Sequence, residues 1–456
     1  ITLYSNGQFQ EAINKIKILN ESYPNVPFLF NIIGACYKSL GQLEVAAKMF
    51  KNAVIIKPDF SEAHKNLGIT LKDLGKFDDA VKSFKKSIAI EPKYLDAHYN
   101  LAVTYKAMGQ LDFAVNIYKE VLVIKPDFAE AHNNLGNVLK DLDQLTNAVT
   151  SYEKAIAIKP DFAESYYNLG VVLKQLGLLD DAVRAYKNAI TIKPDFAEAH
   201  NSLGNCFTIL GQMGLAIDCH EKAISIKSDF AEAHNYLGFN LLSLGKLKGA
   251  TKFFENAIGI NPNYAEAHGN LGNVFKKLKH LDKAMLCYEN AYEVKPNMNF
   301  ILGDILNNKM HLCNWNDLPS LLNKAKKRII NSERVVGPFS LLGLIDDPAL
   351  QRKASVTFAN YYFPESNTLP KITRYPKHSK IRIGYFSADF KVHPVAALTA
   401  ELYELHNRSH FEIYAFSFGP DTKDELNLRI KMGVDHFHDV HLMPHKEIVL
   451  LARSLE

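Results

Sequence analysis

DFAEAHNNLGNVLKDLDQLTNAVTSYEKAIAIKP, residues 127–160, is one copy of a unit that this chain repeats. Prolines at Pro24, Pro58, Pro92, Pro126, Pro160, Pro194, Pro262 and Pro296 hold a single 34-residue register, and Ser228 fills its vacancy. A period of 34 means stacked helix-turn-helix units. The same register carries Leu67, Leu101, Leu135, Leu169, Leu203, Leu237 and Leu271, each followed by Gly or Ala, as in Gly136 and Ala102. A small residue there lets two helices approach closely. Twelve residues after that glycine comes an alanine (Ala80, Ala148, Ala250), and four later an aromatic (Phe84, Tyr152, Phe254), which predicts the packing face of the second helix.

Each unit opens on a helix-start signal. Asp127 to Glu130, Asp161 to Glu164 and Asp195 to Glu198 are Asp-x-x-Glu boxes beside a proline that ends the preceding helix. These features resemble the tetratricopeptide repeat over residues 1–298, as a half unit (1–26) and eight full units (27–298). No unit can bury its apolar face alone, so the expected architecture is an all-α superhelix with a concave inner surface. The chain enters its first repeat halfway through, as if an upstream part were missing.

The first helix of each unit is expected to line that inner surface, and the residue before the Leu-Gly pair projects into it. Asn66, Asn100, Asn134, Asn168 and Asn270 stand there, joined one turn on by Asn137, Asn205 and Asn273. An amide side chain both donates and accepts, so a ladder of them can pair with a peptide backbone whatever its side chains. Extended polypeptide is the expected partner, with self-association through the repeats a second one. Ile32, Ser202 and Tyr236 interrupt the stripe. Histidines also recur at 34: His64, His98, His132, His200, His234 and His268. Ligands of one metal converge within about 4 Å while stacked helices lie on the order of 10 Å apart, so these are expected to be packing residues, with no metal.

Composition narrows the class. The net charge of +4 is small for 456 residues, and no Lys/Arg block interleaved with aromatics marks a nucleic-acid binder. Five cysteines, odd in number and never in a C-x-x-C pair, argue against a disulfide framework or zinc site and fit a reducing cytosol. No apolar run approaches the roughly 20 residues of a membrane span.

Beyond Pro296 the Leu-Gly signal fails, and residues 299–377 read as capping helices and a linker. Trp315, the only tryptophan, is expected to anchor a core there, and Pro364, Pro370 and Pro376 mark a boundary. From 378 to 456 the period switches. KIRIGYFS, HFEIYAFSF and HFHDV read as strands alternating with the helices PVAALTAELYELH, DELNLRIKMGV and HKEIVLLARSLE. That alternation predicts a parallel, doubly wound sheet, with too few strands to close the domain. The loop SADFKVHP, residues 387–394, leaves the first strand at the sheet edge where such folds place ligands. It has no glycine to cradle a pyrophosphate and supplies side chains instead. His393 precedes Pro394 at a helix start, where a neutral imidazole can accept a hydrogen bond or take a proton from a hydroxyl.

Repeats, a helical linker and then Gly384, Tyr385, Ser387, Asp389, Phe390, His393 and Pro394, followed by VDHFHDV, resemble the protein O-GlcNAc transferase family, including its bacterial and SPINDLY-like members. The resemblance implies the beginning of a Rossmann-like lobe of the GT-B type and a glycosyltransferase acting on Ser/Thr of proteins held by the repeats. It implies a nucleotide-sugar donor, UDP-GlcNAc by default or GDP-fucose in the SPINDLY-like branch. It also implies that His393 faces the sugar and the acceptor hydroxyl. The donor-holding lobe would lie past Glu456, so the chain alone is expected not to turn over. A peptide-binding scaffold with a transferase remnant is the rival reading. His436, His438, His441 and His445 suggest a metal cluster, but the family uses no metal there.

Overall fold

The computed structural model describes residues 2–362 and 378–455, which divide into two units, Ile1–Ser355 and Val356–Glu456. In the first, the expected punctuation fixes the helix ends. First helices such as Ser61–Asp73 and Ala129–Asp141 have 13 residues, and second helices such as Phe77–Ile90 and Leu145–Ile158 have 14. The turn between them needs a left-handed residue: Gly75 has φ 72°, and Asp143 and Lys279 take the same conformation where glycine is missing. Around Gly75 the Lys76 N–H returns to the Leu71 carbonyl at 2.8 Å, and the Gly75 N–H returns to Lys72 at 2.9 Å. These bonds satisfy the last carbonyls of the helix.

The small residue after the leucine does what its spacing implies. A Cβ on Gly136 would stand 2.6 Å from Cε1 of Tyr152, so the ring of the second helix rests on bare backbone of the first. Gly68 with Phe84 and Gly272 with Tyr288 repeat the arrangement, and all three rings are fully buried. Successive first helices also touch across units, as Pro27–Ser39 does with Ser61–Asp73 and Ala231–Ser243 with Ala265–Lys277. Second helices meet mainly their neighbours in sequence. The set that approaches more closely lies on the inside of the curve.

The expected Asp-x-x-Glu caps do not form. The helices begin at Ala129, Ala163 and Ala197 with Phe128, Phe162 and Phe196 in the cap position and no side-chain cap bond. Each aspartate lies one residue too early to cap. The glutamates reach instead to the lysine that closes the same unit, Glu130 to Lys159 at 3.4 Å and Glu266 to Lys295 at 2.7 Å. The recurring histidines tie the turns. Nε2 of His64, His98 and His268 each lies 2.9 Å from the carbonyl of Pro58, Pro92 and Pro262, and since a carbonyl only accepts, the imidazole donates.

After Pro296 the helical pairing continues through Ile301–His311 and Leu318–Ile330, but these helices begin later than the 34-residue register would place them, as the loss of the Leu-Gly signal implies. Leu302, Leu306, Ala325 and Ile329 give this pair a core with Val335 and Val336, whose chain folds back so that the Val335 carbonyl accepts from Gly303 N–H at 3.0 Å. Trp315 is not the expected anchor: it is 58% exposed, because it sits in the turn between the two helices. The proline-rich boundary at Pro364, Pro370 and Pro376 lies outside the described residues.

The second unit holds a three-stranded parallel sheet in the order β1 (Ile381–Ser387), β2 (Phe411–Ser417), β3 (His436–Asp439). Ile381 pairs with Phe411 and Ser417 with Asp439. Helices Pro394–Leu405 and Glu425–Gly433 cover one face, where Phe390, Ala400, Tyr403 and Ile430 pack on Ala415. Helix His445–Ser454 covers the other, with Ile448 and Leu451 against Tyr414 and Phe416. Helices on both faces of a parallel sheet are the expected start of a Rossmann-like lobe.

Candidate functional site

The asparagines of the inner stripe are half-buried, and the structure divides them into two sets. Those before the Leu-Gly pair bond backward across the unit boundary. Asn66 donates to Asn31 at 3.0 Å, Asn134 to the Tyr99 hydroxyl at 2.7 Å, Asn168 to Asn133 at 3.1 Å and Asn270 to Asn235 at 3.0 Å. Asn100, with Lys65 in the partner position, turns to its own helix and donates to the Asp96 carbonyl at 2.9 Å. Each amide thus spends an N–H on the scaffold, with further donor and acceptor capacity in the group itself.

The set one turn on serves the core as well. Asn137 accepts from the Tyr152 hydroxyl at 2.8 Å and Asn273 from Tyr288 at 2.9 Å, so a buried tyrosine holds each amide from behind. At Asn205 the support is missing: the equivalent ring is His220, and Asn205 Oδ1 is buried without a partner. His220 is fully buried, its Nδ1 lies 3.0 Å from Asn201 Oδ1, and its Nε2 has no partner. Burial pushes its pKa down to about 4. Between the ordinary 6.5 and that value the unfolded chain gains a proton that the folded one refuses, so stability falls as the pH drops through this window. His220→Tyr is expected to supply the missing hydroxyl, raise stability by about 1–2 kcal/mol and flatten the loss between pH 7 and pH 5, read by thermal melts at both.

In the second unit, the loop after β1 is braced from several sides. Phe390 is buried, its carbonyl accepts from Asn427 Nδ2 at 2.6 Å, and Val392 N–H donates to Asp424 at 3.0 Å. Asp424 also caps helix Glu425–Gly433 by accepting from Asn427 N–H at 2.9 Å, and bonds from Thr422 and Asn427 hold its carboxyl below the usual range. Gly419, after β2, lies so close that a Cβ there would meet the Ala388 carbonyl oxygen at 2.0 Å. Asp424, Asn427 and Gly419 are supports that the sequence reading missed. Only the Asp-Glu pair opening a helix signalled the first of them.

His393 is the N-cap of helix Pro394–Leu405, and its Nδ1 accepts from Val395 N–H at 3.2 Å. Its side chain is 39% exposed. With Nδ1 accepting, the neutral ring carries its proton on Nε2 and presents a donor. Asp389 Oδ2 lies 3.7 Å from Nδ1, close enough to pair with the ring if Nδ1 gains a proton. The expected acceptor role is thus already occupied by the backbone, and the open nitrogen is suited to donate to an oxygen.

The later histidines are each engaged separately. His436 Nε2 lies 3.0 Å from Glu412, His441 Nδ1 lies 2.6 Å from Asp439, and His438 stacks on Tyr414 and Phe416. The side chain of His445 lies outside the described residues. Among the described residues no group of three His, Cys, Asp or Glu could hold a metal ion. A groove of about 510 Å³ lies on the sheet face of Gly384, Phe386 and Phe416, away from His393.

Residues 350–447 match glycosyl transferase family 41, and tetratricopeptide repeat families match residues 71–138, 136–177, 163–196, 197–230 and 265–298. The chain joins tetratricopeptide repeats to a family 41 glycosyltransferase region. The resemblance to the protein O-GlcNAc transferase family is thereby met in both parts of the chain. The family 41 match contains β1, the His393 loop and β3. A relative from Arabidopsis thaliana, the probable UDP-N-acetylglucosamine–peptide N-acetylglucosaminyltransferase SEC, is 28% identical over 166 residues. That match spans 33% of this chain and 17% of the relative's length. Among solved structures, MamA is 30% identical, with 36% of this chain and 97% of that one covered at a TM-score of 0.35. YrrB, described as a TPR protein with an unusual peptide-binding site, is 22% identical, with 40% and 93% covered and the same TM-score of 0.35. No helix among the described residues is long and apolar enough to cross a membrane.

Proposed function

We propose that this chain is part of a protein O-glycosyltransferase that moves a sugar from a nucleotide donor, UDP-GlcNAc, to Ser/Thr hydroxyls of polypeptides held by the repeats. The observation that supports it most is the braced loop of the family 41 region, which offers an exposed imidazole with its acceptor nitrogen already used. In this reading the acceptor oxygen forms the new bond to the sugar carbon, the nucleoside diphosphate leaves with the electron pair of the old bond, the hydroxyl proton passes to the departing diphosphate, and His393 donates from Nε2 to orient an oxygen of the reacting pair. The half-buried amides of the inner stripe, Asn66, Asn100, Asn134, Asn137, Asn168, Asn205, Asn270 and Asn273, hold the polypeptide backbone through their remaining donors and acceptors. All five cysteines are free thiols, which favours a reducing compartment, the cytosol.

The test is to incubate the complete protein with candidate acceptors and either UDP-GlcNAc or GDP-fucose and to weigh the products. A mass gain of N-acetylhexosamine is expected. A deoxyhexose gain moves the protein to the fucosyl branch, and no gain with either donor while peptides still bind leaves a scaffold.

A further inference from the structure

The outer side of the repeats carries a surface that the inner stripe does not use. The second helices Leu43–Ile56 and Phe77–Ile90 do not approach each other as first helices do, and a groove of about 580 Å³ opens between them. Helix Ser61–Asp73 supplies its floor, where Leu67 and Leu71 join Ala47 and Val54. Ile55, 65% exposed, carries this apolar strip out to the surface. Ala89, Ala157, Thr191 and Ser225 hold the same register in other units, so stacking does not require a large apolar residue there.

The rim is basic. Lys48 and Lys51 stand on one wall, Lys82 and Lys86 on the other, and Lys76 at the start of the second wall. The single carboxylate of the lining, Asp79, is held by Lys82 at 3.0 Å. Among the described residues no carboxylate pairs with Lys48, Lys51, Lys76 or Lys86. On each wall the two lysines lie three or four residues apart, a like-charge spacing that weakens a helix. Two units on, the groove between Leu111–Ile124 and Leu145–Ile158 has Asn116, Thr150 and Gln144 where Lys48, Lys82 and Lys76 stand here. The repeat itself therefore does not demand these lysines.

We infer that this outer groove docks an amphipathic α-helix of a partner protein, one whose apolar stripe is flanked on both sides by Asp or Glu. The stripe covers Val54, Ile55 and Leu71, and the two acidic flanks meet the lysines of the two walls. From Lys48 to Ile55 the wall runs two turns, about 10 Å, which matches the i, i+3, i+4 and i+7 anchors of such a helix. Nucleic acid fits worse, because its phosphates would answer the lysines and leave the apolar floor open to water. A bilayer surface is flat and does not reach that floor.

The test uses the full chain and three fluorescent stapled helices of about 15 residues, the length at which a helix begins to hold. One carries a leucine stripe flanked by Glu, one has Gln for every Glu, and one has the composition of the first with its leucines scattered around the helix. Anisotropy is expected to show the first binding about 10-fold tighter than either other, roughly 1.4 kcal/mol, with the advantage over the Gln helix shrinking as salt rises. Lys48→Gln, Lys51→Gln, Lys82→Gln and Lys86→Gln together are expected to erase that advantage without lowering the thermal melt, since all four side chains are exposed. Ile55→Gln is expected to weaken the first helix about 5-fold. Equal binding of the three helices, an affinity for the Glu helix that survives the four lysine substitutions, or equally tight binding of an oligouridylate at these lysines would overturn the docking site.

Discussion

Replacing His393 with Ala in the complete protein is expected to lower sugar transfer by about 100-fold or more, since a positioned hydrogen-bonding group at the reacting atoms contributes on that scale. Part of any loss could come from the helix, because His393 also caps Pro394–Leu405 through Val395 N–H. Losing that cap costs about 1 kcal/mol of stability. His393→Asn separates the two roles: asparagine caps well but is too short to place a donor where Nε2 stands. Transfer assays beside thermal melts should show Asn restoring the melt and not the rate. If Asn restores the rate as well, His393 is a cap and the chemistry lies elsewhere.

The second large effect lies in the repeats. Gly136→Val is expected to destabilise the array by about 3 kcal/mol, because its Cβ would stand 2.6 Å from a fully buried Tyr152 ring and its two methyls have nowhere to go. Gly136→Ala should cost far less. Ala102 already occupies the matching position opposite Tyr118, and both are fully buried, so a single methyl can be accommodated by a small shift of the ring. Urea titrations of the two variants measure the difference. Equal costs would mean that helix spacing, and not ring contact, sets the requirement for a small residue.

The repeats were legible because one contact is printed many times. A glycine facing a ring every 34 residues gives a signal that no single helix could give. The alternation of KIRIGYFS and HFEIYAFSF with helical stretches likewise marks the parallel sheet in the sequence. What stayed hidden depends on distances between residues far apart in sequence. The Asp127-type aspartates look like caps in one dimension and miss the helix start by one residue. Trp315 looks like an anchor by type and sits in an exposed turn. Asn137 and Asn66 look alike as amides, yet a tyrosine 15 residues on holds one and an asparagine 35 residues back holds the other. At the loop, the pattern around His393 was readable, but not that Val395 N–H takes up its acceptor nitrogen.

The backward amide bonds also bear on how the array yields. They link units at Asn66, Asn134, Asn168 and Asn270, whereas Asn100, Ser202 and Tyr236 make no such bond; the unit between the last two gaps carries the orphaned His220 and Asn205 atoms and reaches the next unit through the Thr208 hydroxyl, which donates to Asn240 at 3.0 Å. In a stack whose cohesion is a sum of nearest-neighbour terms, the weakest joints decide where it parts. Under tension or mild denaturant the unit at residues 197–230 is therefore expected to yield first, so that the array parts there as two blocks and does not peel from its ends.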